Sequence, residues 1–326
     1  MSDTNNRLTR RHFVGGSLMT ALGLAGATCW GGSVSANASP GIMPLKKRSL
    51  RFAHFTDIHL FAERNAPKGL TAALRHVHAL DDKPDMLITS GDNVMDCLGK
   101  DDATATLQYT LLKKIFAEEC HIPVKFGIGN HDVWGWAKNG KTTGNEALWG
   151  KKRPVYELDL PSRYYSFDKG PWRFIMLDSI CADETSSYIA KLDEEQFAWL
   201  QAELKTHKDK YICIVSHIPI VAASAIFYGQ YEKTGQWIIP QQRLMLDARR
   251  LKDLFGKHPN VRLCLSGHLH FVERLEYNNV TYICDGAVCG EWWNGNRAGF
   301  EEGYGVIDLY DDGTFNHQYV AYGWQA

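Results

Sequence analysis

Five apolar runs in this chain stop at the same kind of residue. LRFAHFT (50–56) leads into Asp57-Ile58-His59, DMLIT (85–89) into Gly91-Asp92-Asn93, and VKFGI (124–128) into Asn130-His131-Asp132. YICIV (211–215) leads into Ser216-His217, and VRLCL (261–265) into Gly267-His268-Leu269-His270. Each run is short and apolar enough to be a buried strand. Helical patterns lie at 69–80, 104–119, 193–206 and 241–256. At 193–206, Asp193-Glu194-Glu195 supply an acidic first turn, and Phe197, Leu200 and Leu204 share one face. Strand and helix therefore alternate, which predicts α/β layers. In such layers ligands bind beyond the carboxyl ends of the strands, and the Asp, Asn and His residues fall there.

A further strand pattern lies at 172–177, and others at 271–277, 280–284, 304–310 and 314–320, with Asp312-Gly313 as a hairpin turn. The β-rich finish over 271–326 forms a second sheet or caps the first.

The strand-end residues are chemically coherent. Asp57, His59, Asp92, Asn130, His217, His268 and His270 give two carboxylates, one amide and four imidazoles. Such a nitrogen and oxygen set suits zinc, manganese or iron better than calcium. Seven ligands exceed the roughly three that one catalytic ion keeps beside its open position. Two ions sharing a carboxylate, roughly 3.5–4 Å apart, would use them all. A net charge of −1 and a single KKR run at 46–48 give no footprint for wrapping a nucleic acid.

The amino terminus reads differently. Arg10-Arg11 precede Phe13, a Gly/Ala/Leu segment and Ala36-Asn37-Ala38, a pattern that resembles a twin-arginine export signal. The reading is a signal over 1–38, a linker over 39–49 and one domain over 50–326. It implies twin-arginine export machinery as a partner, which carries folded proteins, and a periplasmic destination where the cell has two membranes. The apolar segment is too short and glycine-rich to span a membrane, and no transmembrane segment is expected in the mature chain. Cys29 follows Thr28, a poor context for a lipid-modified cysteine. Among the remaining cysteines no metal-binding CxxC occurs, and Cys284–Cys289 or Cys97–Cys120 pairing stays open.

Taken in order, D-x-H, G-D-N, G-N-H-D, a lone histidine and G-H-x-H resemble the calcineurin-like metallophosphoesterase superfamily over about residues 50–275. The resemblance implies a four-layer αββα sandwich of two mixed sheets flanked by helices. It implies two divalent ions (Mn, Fe or Zn), one held by Asp57, His59, Asp92 and His270, the other by Asp92, Asn130, His217 and His268. A hydroxide bridging them would attack phosphorus directly. His131 would contact phosphoryl oxygens or protonate the leaving group, and Asp132 would orient its imidazole. Purple acid phosphatases carry a tyrosine ligand three residues after the bridging aspartate. Met95 stands there in this chain, so no tyrosinate–iron colour is expected. The implied substrate is a small phosphodiester or phosphomonoester, with Asn93, Trp134 and Trp292 as candidate contacts. The rival reading is a non-catalytic, metal-dependent binding or scaffold protein on the same fold. Remaining histidines, among them His54 and His317, read as surface or packing residues.

Overall fold

The computed structural model describes residues 46–137, 144–184, 187–229 and 231–326. The export-signal reading and Cys29 therefore lie outside the described residues. In chain order the elements begin with β1 (Arg48–Phe55), α1 (Ala66–Ala79), β2 (Met86–Thr89), α2 (Asp102–Glu119) and β3 (Val124–Phe126). There follow α3 (Lys152–Glu157), β4 (Tyr165–Lys169), β5 (Trp172–Leu177), β6 (Ile180–Asp183), β7 (Ser187–Ala190) and α4 (Glu194–Thr206). The chain continues through β8 (Tyr211–Ser216), α5 (Tyr231–Thr234), α6 (Ala248–Phe255) and β9 (Val261–Ser266). It finishes with β10 (Val272–Tyr277), β11 (Val280–Asp285), β12 (Gly303–Tyr310) and β13 (Phe315–Ala321).

The strands form two mixed sheets, ordered β13-β12-β1-β2-β3 and β10-β11-β9-β8-β5-β4, plus the β6-β7 hairpin. Strands β1, β2 and β3 are mutually parallel, as are β5, β8, β9 and β11. Alternation along each strand sorts its side chains between two cores. Phe52, Met86 and Ile88 of the first sheet meet Phe174, Val215 and Leu265 of the second in a central core. Ala53, Phe55 and Leu87 face the other way, onto α1 and α2. Ile175, Ile212 and Ile214 face α4 and α6. The result is helices, sheet, sheet, helices, as expected for a four-layer sandwich.

Local chemistry sets the helix starts. Asp101 caps α2 by accepting from Thr104 N at 2.8 Å, and Asp193 caps α4 by accepting from Gln196 N at 2.9 Å. The expected helix at 241–256 is cut to α6, because upstream backbone groups bond elsewhere. Met245 N donates to Pro219 O and Leu246 N to Ala190 O, which pins that stretch as a loop. β1 starts at Arg48, so it takes in the end of the expected linker. β4, β6 and β7 were not legible because their short sequences carry polar residues. All seven described cysteines are free thiols. Among the described residues no helix is long and apolar enough to cross a membrane.

His54 and His317 are packing residues, and their partner is a buried carboxylate. Asp285, at the end of β11, accepts from His54 Nδ1 at 2.6 Å and from His317 Nε2 at 2.5 Å. The two histidines belong to one sheet and Asp285 to the other, so the bonds tie the sheets together.

Candidate metal centre

The carboxyl ends of β1, β2, β3, β8 and β9 converge at one end of the sandwich. Asp57 and His59 follow β1, Asp92 follows β2, Asn130 and His131 follow β3, His217 follows β8, and His268 and His270 follow β9. Asp92 Oδ2 lies 3.0 Å from His217 Nε2 and 3.6 Å from His59 Nε2, so one oxygen faces imidazoles from both sheets. Asp57 Oδ1 lies 3.2 Å from His270 Nε2, and Asp57 Oδ2 accepts from His268 N at 2.8 Å. The sheets are thus laced together through the site.

This convergence needs tight loops. Asp57, His59, Asp92, His268 and His270 all have left-handed backbones, with φ between 45° and 67°. Non-glycine residues adopt that conformation at a cost of about 1 kcal/mol or more, and such outliers gather at functional sites. Two glycines supply clearance. A Cβ on Gly267 would collide with Thr56 Oγ1 and Asp57 Oδ2, and one on Gly129 with Asp92. Nothing larger than hydrogen fits at either place.

The donor set fits cations. Asp57 Oδ1, Asn130 Oδ1, His217 Nδ1 and His268 Nε2 are buried without a hydrogen-bond partner. His59 Nε2 faces His270 Nε2 at 3.3 Å, and His217 Nε2 faces His268 Nδ1 at 3.3 Å. Buried polar atoms left without a partner are costly unless something charged sits among them. Among the described residues, three groupings bring ligand atoms within 4.8 Å of one another: Asp92/His217/His268, His59/Asp92/His131 and His59/His270/Cys289. His270 is oriented by its Nδ1, which donates to Gly290 O at 2.6 Å, the usual outer support of a ligating imidazole.

Electrostatics follow from burial and proximity. Burial opposes charge on Asp57 and Asp92, but neighbouring histidines, His270 and His217 foremost, hold both carboxyls low. Burial likewise opposes a charged His217, yet Asp92 and Asp57 push it up to about 9. His59 is lowered to about 4 by burial, and His268 is also driven down by burial and by His217. The metal-free protein therefore stores protons where a cation would bind.

Three expectations need correction. Asp132 does not orient His131. Its carboxylate accepts from Asn93 N at 2.9 Å, Asn93 Nδ2 at 3.0 Å, Val94 N at 3.3 Å and Gly129 N at 2.8 Å. It braces the two loops that present Asp92 and Asn130, and the nearest carboxylate to His131 Nδ1 is that of Asp96, at 3.9 Å. Asn93 is not a substrate contact, being buried with its amide donating to Gly127 O and Asp132. Trp134 is fully buried, its Nε1 donating to Lys100 O at 2.8 Å. Trp292 does reach the site, with its ring centroid 4.0 Å from His59 and 5.0 Å from His131. Cys289 was not anticipated. It follows β11 and has no ligand-like spacing, and only the pairing of β11 beside β9 brings it to His270.

The sequence profile of the calcineurin-like phosphoesterases matches residues 50–272, a span that includes Asp57, His59, Asp92, Asn130, His131, Asp132, His217, His268 and His270. The chain belongs to the calcineurin-like phosphoesterase family. It is a metal-dependent phosphoesterase. A 3′,5′-cyclic-nucleotide phosphodiesterase of a Nostoc strain is 25% identical over 281 residues, 83% of this chain and 91% of that protein. A protein of Arcobacter nitrofigilis, named a probable glycerophosphodiester phosphodiesterase, is 28% identical over 216 residues, 66% of this chain and 67% of its own. Among solved structures, a dimetal phosphatase from Danio rerio superposes with a TM-score of 0.57 at 12% identity, covering 85% of this chain and all of that one (100%). That likeness concerns the fold of the phosphoesterase alone.

Proposed function

We propose that this phosphoesterase hydrolyses a small phosphodiester at a pair of divalent ions, Mn, Fe or Zn. The observation that carries the reading is the position of Asp92, whose one carboxylate oxygen faces His217 on one side and His59 on the other. Asp57, His59, Asp92 and His270 would hold one ion, and Asp92, Asn130, His217 and His268 the second. Bound there, the ions supply Lewis-acid stabilisation of phosphoryl charge and activate water for attack on phosphorus.

The chain's own residues complete the reaction. His131 sits at the edge of the cluster with its side chain 22% exposed, placed to meet substrate arriving from solvent. Its backbone is fixed at both ends, N donating to Asp92 Oδ1 at 2.8 Å and O accepting from Cys97 N at 2.8 Å. In that position its imidazole protonates the departing oxygen as the P–O bond to the alcohol breaks, a role typically worth about 10²- to 10⁴-fold. The phosphodiesterase names of both curated relatives support a diester over a monoester.

We further propose, from the sequence pattern alone, that residues 1–38 direct export and that the enzyme acts in the periplasm of a two-membrane cell. Turnover of bis(p-nitrophenyl) phosphate above p-nitrophenyl phosphate by Mn-, Zn- or Fe-loaded protein tests the catalytic reading. Silence on both esters with all three metals would favour a non-catalytic binding or scaffold role.

A further inference from the structure

Beside the ligand cluster opens a cavity of about 460 Å³. Phe61, Met95, Leu107 and Leu111 form its apolar walls, and His131 with Trp292 closes the end nearest the ligands. Leu107 is 60% exposed, a large apolar side chain left uncovered on the rim of a cavity. Glu63, Asp96 and Lys100 supply the charged groups of the lining, two negative and one positive.

The aromatic end wall is fixed. Trp292 and Trp293 both have left-handed backbones, φ 55° and 65°. Trp293 is buried, and its Nε1 donates to Ile58 O and His59 O at 3.0 and 3.1 Å. Gly69 on α1 gives it room, since a Cβ there would collide with its ring. Trp292 O accepts from Arg64 at 3.1 Å. Anchored on both sides, the neighbouring indole is held beside His131 at the end of the cavity, on a strained backbone of the kind that gathers at functional sites.

We propose that this cavity receives the leaving alcohol of the phosphodiester and selects one that is aromatic and uncharged, such as a nucleoside. The inference rests on the phosphodiesterase reading. Size supports it, because the volume falls in the range of about 300–1,000 Å³ of sites for drug-sized ligands, and a glycerol would leave the apolar walls wet. Charge supports it too, because Glu63 and Asp96 outnumber Lys100 and oppose a leaving group with a second phosphate. An indole face accepts any base by stacking, whose usual strength corresponds to roughly 5- to 150-fold in affinity.

The test compares the ethyl esters of thymidine 5′-phosphate and glycerol 3-phosphate, whose leaving alcohols are both primary. Full-length, Mn-loaded protein is expected to show a kcat/KM ratio of at least roughly 5 in favour of the thymidine ester. Leu111→Trp, which fills the cavity, and Leu107→Glu, which makes its rim acidic, should each pull the ratio toward one with metal content unchanged. Calorimetric titration gives a second readout, with phenylphosphonate binding more tightly than methylphosphonate and losing that advantage in both variants. Turnover of both esters at equal kcat/KM, or a ratio that both variants leave unchanged, overturns the leaving-group inference and spares the phosphodiesterase reading. No turnover of any diester overturns both.

Discussion

Replacing Asp132 separates two accounts of the motif that contains it. If its carboxylate served only to orient His131, Asp132→Ala would lower kcat and leave stability and metal content intact. The structure predicts otherwise. Four hydrogen bonds end on that carboxylate, from Asn93 N, Asn93 Nδ2, Val94 N and Gly129 N. Truncation removes all four bonds, and at about 1 kcal/mol net for each the loss is about 4 kcal/mol. That is a large part of the about 5–15 kcal/mol by which most domains are stable. The loops released are those carrying Asp92 and Asn130, so metal affinity should fall with stability. Asp132→Asn keeps one acceptor oxygen and two of the four bonds, and should lose about half as much. Urea denaturation of metal-free protein, with metal stoichiometry measured after loading, provides the assay. A variant as stable as the parent, fully metallated and merely slow, would refute the bracing role.

His131→Ala should reduce kcat by about 10²- to 10⁴-fold while retaining metal, whereas Asp92→Ala should lose metal along with activity; elemental analysis beside kinetics distinguishes them. Because Asp92 and Asp57 hold His217 at about 9 against the effect of burial, metal must displace a proton at neutral pH. Calorimetry at pH 7.5 in buffers of different ionisation enthalpy should reveal release of about one proton or more, and heats independent of buffer would contradict this. The same raised value stabilises the metal-free fold fully below pH about 6.5, the unfolded pKa. That contribution is lost as pH rises through about 9. Substituting lysine for both Arg10 and Arg11 should leave the precursor in the cytoplasm on cell fractionation, while a periplasmic product would count against the export signal.

The clustering of polar residues at strand ends was legible because it is a local pattern, an apolar run broken by glycine and then by Asp, Asn or His. The layers were legible for a related reason, since strands such as β8 are apolar on both faces and need a core on each side. What escaped the sequence was side-chain direction inside loops. Asp132 sits next to His131, but the turn that sends His131 toward the cluster sends the carboxylate back onto Asn93 and Gly129. Trp292 and Trp293 are adjacent indoles in a single motif, and only the backbone φ angles and the notch at Gly69 decide which is buried. Trp134 reads as a candidate substrate contact because the sequence does not show that Lys100 O accepts from its indole nitrogen.

Neither half of the sandwich holds the complete proposed ligand set. Asp57, His59, Asp92 and Asn130 come from one sheet, and His217, His268 and His270 from the other. A cation can therefore be captured at full strength only after both halves have folded and closed in correct alignment. Once captured, it acts as a clasp across the seam, so chelation should loosen the joint between the sheets before it unravels either one.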